Sequence, residues 1–169
     1  MKTWQKWALG GAVLIMLLVL LHKPLQRLAL NTMIKVVGND VETVSPHELL
    51  AMKEAVLLDT RTDAEYAVSH IGGARKVGYE DFRVEQVKDI DIETPIIVYC
   101  SLGARSKEIG KKLQAAGYEE VYNLRGGIFR WIDEGFPVKD ENGQLTTKVH
   151  PYNWFWGLFA VAGEKSYEP

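Results

Sequence analysis

One cysteine occurs in 169 residues, Cys100, and it lies in the stretch Val98-Tyr99-Cys100-Ser101-Leu102-Gly103-Ala104-Arg105-Ser106. The apolar run Ile96-Ile97-Val98-Tyr99 precedes it, and Gly103 follows within a short loop. A helical pattern then opens at Ser106, with Ile109, Leu113 and Ala116 on one face. This order predicts a buried strand that delivers a thiol into a tight loop feeding the start of a helix. Unpaired N–H groups and a partial positive charge at a helix N-terminus favour thiolate over thiol and can hold an anion beside it. Arg105 adds a full positive charge on the same loop. The chemistry open to these residues is therefore nucleophilic, through a covalent intermediate on sulfur. The alternative is an inert, buried structural cysteine.

The elements that must position this loop can be read on either side of it. Val41-x-x-Val44 predicts a short strand, and Ser45, Pro46 and Glu48 form a capping box that opens a helix carrying Leu49, Leu50 and Met52. Ala55 to Leu58 is a continuous apolar run, as expected of a strand covered on both faces, and Asp59 ends it. Thr62 and Glu65 make a second capping box for a short helix through Val68. A turn at His70–Ala74, a strand at Arg75–Val77 and a helix within Asp81–Val87 follow. After Pro95 come the strand ending at Cys100 and the helix from Ser106 to Ala116, with Gly117 placed for a left-handed C-cap. Val121–Leu124 is the last strand, and Gly126-Gly127 leads into a helix with Ile128, Trp131 and Ile132. Strands alternating with helices predict a mostly parallel sheet with helices on both faces. Such sheets bind ligands outside the carboxyl ends of their strands, where Cys100 falls.

Several of these residues, in this order, carry a family likeness. Asp59-x-Arg61, Glu65-Tyr66 and His70-Ile71-Gly72-Gly73-Ala74 form its first half. Cys100-x-x-Gly103-x-Arg105-Ser106, Gly117-Tyr118, Gly126-Gly127, Trp131 and Gly135-x-Pro137 form its second. From about Val44 to Pro137 the sequence resembles the rhodanese-like sulfurtransferases, with Ser69 where that family often has glycine. The resemblance implies a rhodanese-like α/β fold. It also implies a Cys100 thiolate that takes up a sulfane sulfur as a persulfide and passes it to a thiophilic acceptor. The loop Ser101, Leu102, Gly103, Ala104, Arg105 and Ser106 would bind substrate. Family members specialised for thiosulfate often carry basic residues where Ser101 and Leu102 stand, so a small-molecule or protein persulfide is an equal candidate donor, with a thiol as acceptor. No cofactor and no metal is implied. In the same family the counterparts of His70 and Asp59 are structural, and Arg61 is expected to pair with a carboxylate. The rival readings are a phosphatase or arsenate reductase on the same fold, and a non-catalytic module that recruits a partner.

A formal net charge of −2 and a pI near 6.1 argue against a nucleic-acid partner. A lone cysteine makes no internal disulfide, and no His/Cys cluster has metal-ligand spacing. The amino terminus has a different composition. Ala8 to Leu21 is uninterrupted apolar sequence between a basic start with Trp4 and Trp7 and the stop His22-Lys23-Pro24. Roughly 18 residues give about 27 Å of helix, enough for the hydrocarbon core of a bilayer. A single-pass anchor over residues 4–22 is expected, with a cleaved signal peptide as its rival. The basic start places the amino end in the cytoplasm and the domain outside. Leu25, Leu28, Leu30 and Ile34, with Arg27 and Lys35, are expected to form an amphipathic extension on the membrane.

The organisation expected is thus an anchor and juxtamembrane segment at 1–30, a domain at 36–138 and a tail at 139–169. Asn142-Gly143 in the tail is a hairpin signal. The aromatic stretch His150 to Phe159 would pack back on the domain, lie at the membrane interface or bind a protein partner. His150 as an acid or base near the thiol is a further expectation.

Overall fold

The computed structural model describes residues 22–38 and 40–168. Its centre is a sheet of β1 (Thr43–Val44), β2 (Val56–Asp59), β3 (Arg75–Lys76), β4 (Ile96–Tyr99) and β5 (Val121–Leu124), in the order β1-β5-β4-β2-β3. Every pairing in it is parallel. The apolar runs of the sequence are explained by β4, the central strand, in which all four residues are buried. Because side chains alternate along a strand, Ile96 and Val98 enter a core with Leu58, Ile109 and Leu113, while Ile97 and Tyr99 enter a second core with Leu124, Ile128 and Trp131.

Helical residues 22–37 (α1) precede the sheet, and α2 (Pro46–Ala51), α3 (Asp63–Val68), α4 (Ala104–Ala115) and α5 (Gly127–Asp133) connect or follow its strands. Both predicted capping boxes form, Ser45 with Glu48 and Thr62 with Glu65. The segment within Asp81–Val87 yields only a 3-10 turn at Val84–Val87. The hairpin expected around Asn142-Gly143 joins β6 (Val138–Lys139) to β7 (Leu145–Thr146), with Gly143 at φ +75°. A two-stranded parallel pair, β8 (Lys148–Val149) and β9 (Glu164–Lys165), brackets a short helix, α6 (Trp154–Gly157).

The β2–β4 register sets Asp59 opposite Tyr99, so the loop after β2 lies against the loop after β4. Thr60 N–H and Oγ1–H both donate to the Tyr99 carbonyl, at 2.9 and 3.0 Å. Arg61 pairs with Asp59, as expected, Nη2 to Oδ2 at 2.6 Å, with both side chains wholly buried. Its Nη2 also donates to the Ser69 carbonyl at 2.6 Å, tying the loop after β2 to the end of α3. Among the described residues, Arg61 Nη1 and Ser69 Oγ have no partner.

The expected membrane span lies outside the described residues, apart from its last position. Among the described residues no helix is long and apolar enough to cross a membrane. The amphipathic extension, however, does something different from what its pattern predicts. Leu30 is fully buried in the core that holds Ile128 and Phe129, with Met33 and Ile34 packed beside it. Arg27 donates to Asp133 at 3.0 Å. The apolar stripe of α1 is thus matched by an apolar surface of the domain, and burial there removes it from water without a bilayer. Leu25 and Leu28, at its first turns, remain exposed.

Candidate active site

Cys100 follows β4 directly, at the carboxyl end of the central strand, and is 2% exposed. The loop after it turns back through Gly103, whose φ of +114° is open to glycine at little cost. Gly103 is the N-cap of α4, so the helix begins at Ala104, two residues before the predicted start at Ser106. The shift matters because it aims the first N–H groups of the helix at the sulfur. Gly103 N–H donates to Cys100 Sγ at 3.1 Å. Burial pushes the thiol pKa up, but the charge of Arg105, the backbone N–H groups of Ser106 and Gly103 and the Ser106 hydroxyl outweigh it. The net shift is downward.

Three contacts hold the loop in shape. Asn123 on β5 donates Nδ2–H to the Gly103 carbonyl at 2.9 Å and accepts from Ser106 Oγ at 2.7 Å. The first turn of α5 donates Ile128 N–H to the Cys100 carbonyl at 2.9 Å and Phe129 N–H to the Ser101 carbonyl at 3.2 Å. That approach is possible because residue 127 is glycine. A Cβ there would come within 2.2 Å of the Cys100 carbonyl oxygen.

The third contact is a charge clamp. Glu65 on α3, wholly buried, receives Arg105 Nη1 at 2.8 Å and Nη2 at 2.7 Å, and Ser101 Oγ–H at 3.0 Å. Burial alone would raise its pKa, yet the hydrogen bonds and charge of Arg105, helped by Arg61, bring it down to about 2. A residue expected to cap a helix therefore also anchors the reactive loop from across the sheet.

The six loop residues named from the sequence thus divide by role. Gly103 and Ser106 face the sulfur, and Ser101 and Arg105 join the clamp. Leu102 is buried and Ala104 is exposed, and both border the pocket above the thiol. His70 has the structural place expected, its Nδ1 3.1 Å from the Tyr66 carbonyl and its ring stacked on Tyr66. His150 is mostly buried and its Nδ1 accepts from Tyr152 N–H at 3.0 Å. Burial holds its pKa below the usual imidazole value, against the pull of Glu65. With Nδ1 occupied by a backbone donor, it is placed to brace the tail.

Sequence reasoning missed Asn123, Gly127 and the second role of Glu65. The tail packs back on the domain, as expected, with Phe159, Ala160 and Val161 in its core, but its place at the site was not foreseen: Tyr152 lies over the Arg105 guanidinium at 4.8 Å and Trp156 borders the pocket with Cys100. The doubled glycine at 126–127 was the one local signal for a close backbone approach.

The sequence matches the profile of the rhodanese-like domain over residues 45–134, more than half of the chain. The chain belongs to the rhodanese-like domain family. Among its rhodanese-like relatives, a sulfurtransferase of Allochromatium vinosum is 35% identical over 106 residues, covering 62% of this chain and 98% of that protein. A tRNA uridine(34) hydroxylase of Bartonella quintana is 32% identical over 106 residues, covering 59% of this chain and 35% of the hydroxylase. The chain therefore spans about a third of the hydroxylase and nearly all of the sulfurtransferase. The solution structure of a rhodanese-like domain from Anabaena sp. superposes with a TM-score of 0.54 at 25% identity, covering 59% of this chain and 80% of that one.

Proposed function

We propose that this protein is a sulfurtransferase working through a persulfide on Cys100. The observation that carries the reading is the buried thiol at the end of the central strand, aimed at by Gly103 N–H and lowered in pKa despite its burial. In the first half-reaction the Cys100 thiolate attacks the outer sulfur of a donor R–S–SH. The Sγ–S bond forms, the donor's S–S bond breaks, and R–S⁻ leaves with the electron pair to be protonated by solvent. In the second, an acceptor thiolate attacks the outer sulfur of the Cys100 persulfide and releases the Cys100 thiolate. No outside oxidant or reductant enters, and ping-pong kinetics follow.

The backbone N–H groups of the loop would stabilise the sulfur anion formed in each step. Arg105, held by Glu65, would keep the loop in shape and supply positive potential. The sulfurtransferase named among the relatives supports this chemistry. The hydroxylase reaction is not carried over, because the shared part is a minor share of that protein.

A phosphatase or arsenate reductase fits less well. Cys100 and Arg105 are separated by four residues, leaving a short loop, and both terminal nitrogens of the guanidinium are engaged by Glu65 rather than turned to a tetrahedral oxyanion. Incubating the protein with a sulfane donor is expected to add the mass of one sulfur atom to Cys100, with no turnover of aryl phosphates. Robust phosphatase activity with no persulfide from any donor would overturn the reading.

We also propose that the protein is held to a membrane through residues 4–22. Leu25 and Leu28 on α1 and Trp154, Phe155 and Leu158 around α6 are exposed apolar side chains. Gln26 Nε2 donates to the Leu158 carbonyl at 3.5 Å, so the two groups lie together at the first turns of α1, which follow the apolar segment 8–21 in sequence. That arrangement suits a lipid surface beside an anchor. Full-length protein should stay with membranes through a carbonate wash, and a chain beginning at residue 22, which keeps Leu30 and its packing, should be soluble and folded. Recovery of the full-length protein in the wash would refute the anchor.

A further inference from the structure

Above Cys100 lies a cavity of about 540 Å³. That is within the range of about 300–1,000 Å³ typical of sites for organic molecules and far more than a small inorganic sulfur anion fills. Its polarity is graded. At the floor are the thiol and the helix N–H groups, and bordering it is Arg61, whose buried Nη1 has no partner among the described residues. Part of the wall is apolar, made by Val37 of α1, Val77, Tyr79, Leu102 and the tail residues Tyr152 and Trp156, and charged side chains border the rest. Val37, Tyr152 and Trp156 lie outside the stretch that matches the family profile, so this part of the wall is supplied by segments added to the common domain.

The charges at the pocket point the same way. Arg61, Lys76 and Arg105 border it, and each already has a carboxylate: Asp59, Asp63 and Glu65. Glu80 and Asp81 also border it, exposed and without a cation partner among the described residues. A dianion entering here would meet two carboxylates without a cation partner, while each bordering cation already has a carboxylate and only Arg61 Nη1 is left without an acceptor.

We infer that the sulfur donor is an organic persulfide with an apolar body and no charge beyond that of its sulfur, seated with its body against Trp156 and Tyr152. This rests on the sulfurtransferase reading and narrows its substrate class. The step is the one already balanced: Cys100–S⁻ attacks R–S–SH, the Sγ–S bond forms, the donor's S–S bond breaks, and R–S⁻ leaves into the pocket as R is held by the aromatic wall. Run in reverse, the same wall takes R–SH as the acceptor.

The test compares two persulfides of like S–S chemistry but unlike bodies, benzyl persulfide and the persulfide of mercaptosuccinate, a dicarboxylate. Loading of Cys100 in the full-length protein is followed by mass, and each rate is divided by that for a simple free thiol in solution. The benzyl donor is expected to load at least about tenfold faster by this ratio. Trp156→Ala should reduce that preference about tenfold, mostly through KM, since an aromatic contact of this kind carries about that factor. Glu80→Gln with Asp81→Asn, both at exposed positions, should speed loading by the dicarboxylate severalfold and keeps the test independent of any folding defect in Trp156→Ala. Equal or faster loading by the dicarboxylate, or a Trp156→Ala that slows both donors alike, overturns the substrate class while sulfur transfer stands. Loading by neither donor, nor by thiosulfate, would instead bring down the underlying reading.

Discussion

Cys100→Ser is expected to lower sulfur transfer by at least about a thousandfold while leaving the melting temperature nearly unchanged. The activity falls because a hydroxyl at this position is not ionised near neutral pH and forms no persulfide. The fold survives because the Cys100 sulfur accepts from Gly103 N–H, and a serine Oγ can accept that bond too. The same geometry governs the thiol's reactivity. Alkylation by iodoacetamide, followed against pH, should show a midpoint below the usual thiol range, in line with the lowered pKa. Arg105→Gln should move that midpoint up by removing the largest of the contributions that hold it down. A Cys100→Ser protein that unfolds readily, with activity per folded molecule intact, would make Cys100 a packing residue instead.

The second large effect is on stability. Glu65→Ala should destabilise the protein by about 3 kcal/mol or more, because it leaves Arg105 largely buried without its carboxylate and removes a helix cap as well. In a domain of this size that is a fall of about 10 °C in melting temperature. The pH dependence has a definite sign. The Glu65 pKa lies at about 2 in the folded protein, below its ordinary value of 4.5. The stability it contributes is therefore fully present above about pH 4.5 and is lost as the pH falls from there toward 2. Urea melts at pH 7, 5 and 3 should show this loss in the wild type, and Glu65→Gln should remove its share of the slope. If both proteins lose the same stability over that window, the clamp is not the acid-sensitive element.

Sequence reading and structure agree at most of the places where the cause is local. The two capping boxes, the hairpin at Asn142-Gly143 and the left-handed Gly117 at φ +97° each depend on a few neighbouring residues, and each forms where predicted. The strand ending at Cys100 and its alternation between two cores are equally legible, because burial on both faces demands an unbroken apolar run. The order of motifs from Asp59 to Pro137 was sufficient for the family. The start of α4 was misplaced by two residues because Ala104 and Arg105 carry no apolar signal, whereas backbone geometry at Gly103 decides where the helix begins.

What only the tertiary structure decided lies between residues far apart in the chain. Glu65 reaches Arg105 across 40 positions, and its sequence context, a cap within a family motif, did not name that partner. Asn123 comes to the loop because β5 pairs with β4, and Gly127 because α5 starts against the Cys100 carbonyl. The stripe of α1 was correctly apolar, but periodicity specifies a face and not what covers it; in the fold the domain covers it around Leu30. The aromatic tail likewise announced burial or contact without a partner, and in the fold Tyr152 lies over Arg105. The thiol and its chemistry are thus written in one short stretch of sequence. The shape and polarity of the pocket above it arise from α1, α3 and the tail, which meet only when the sheet has formed.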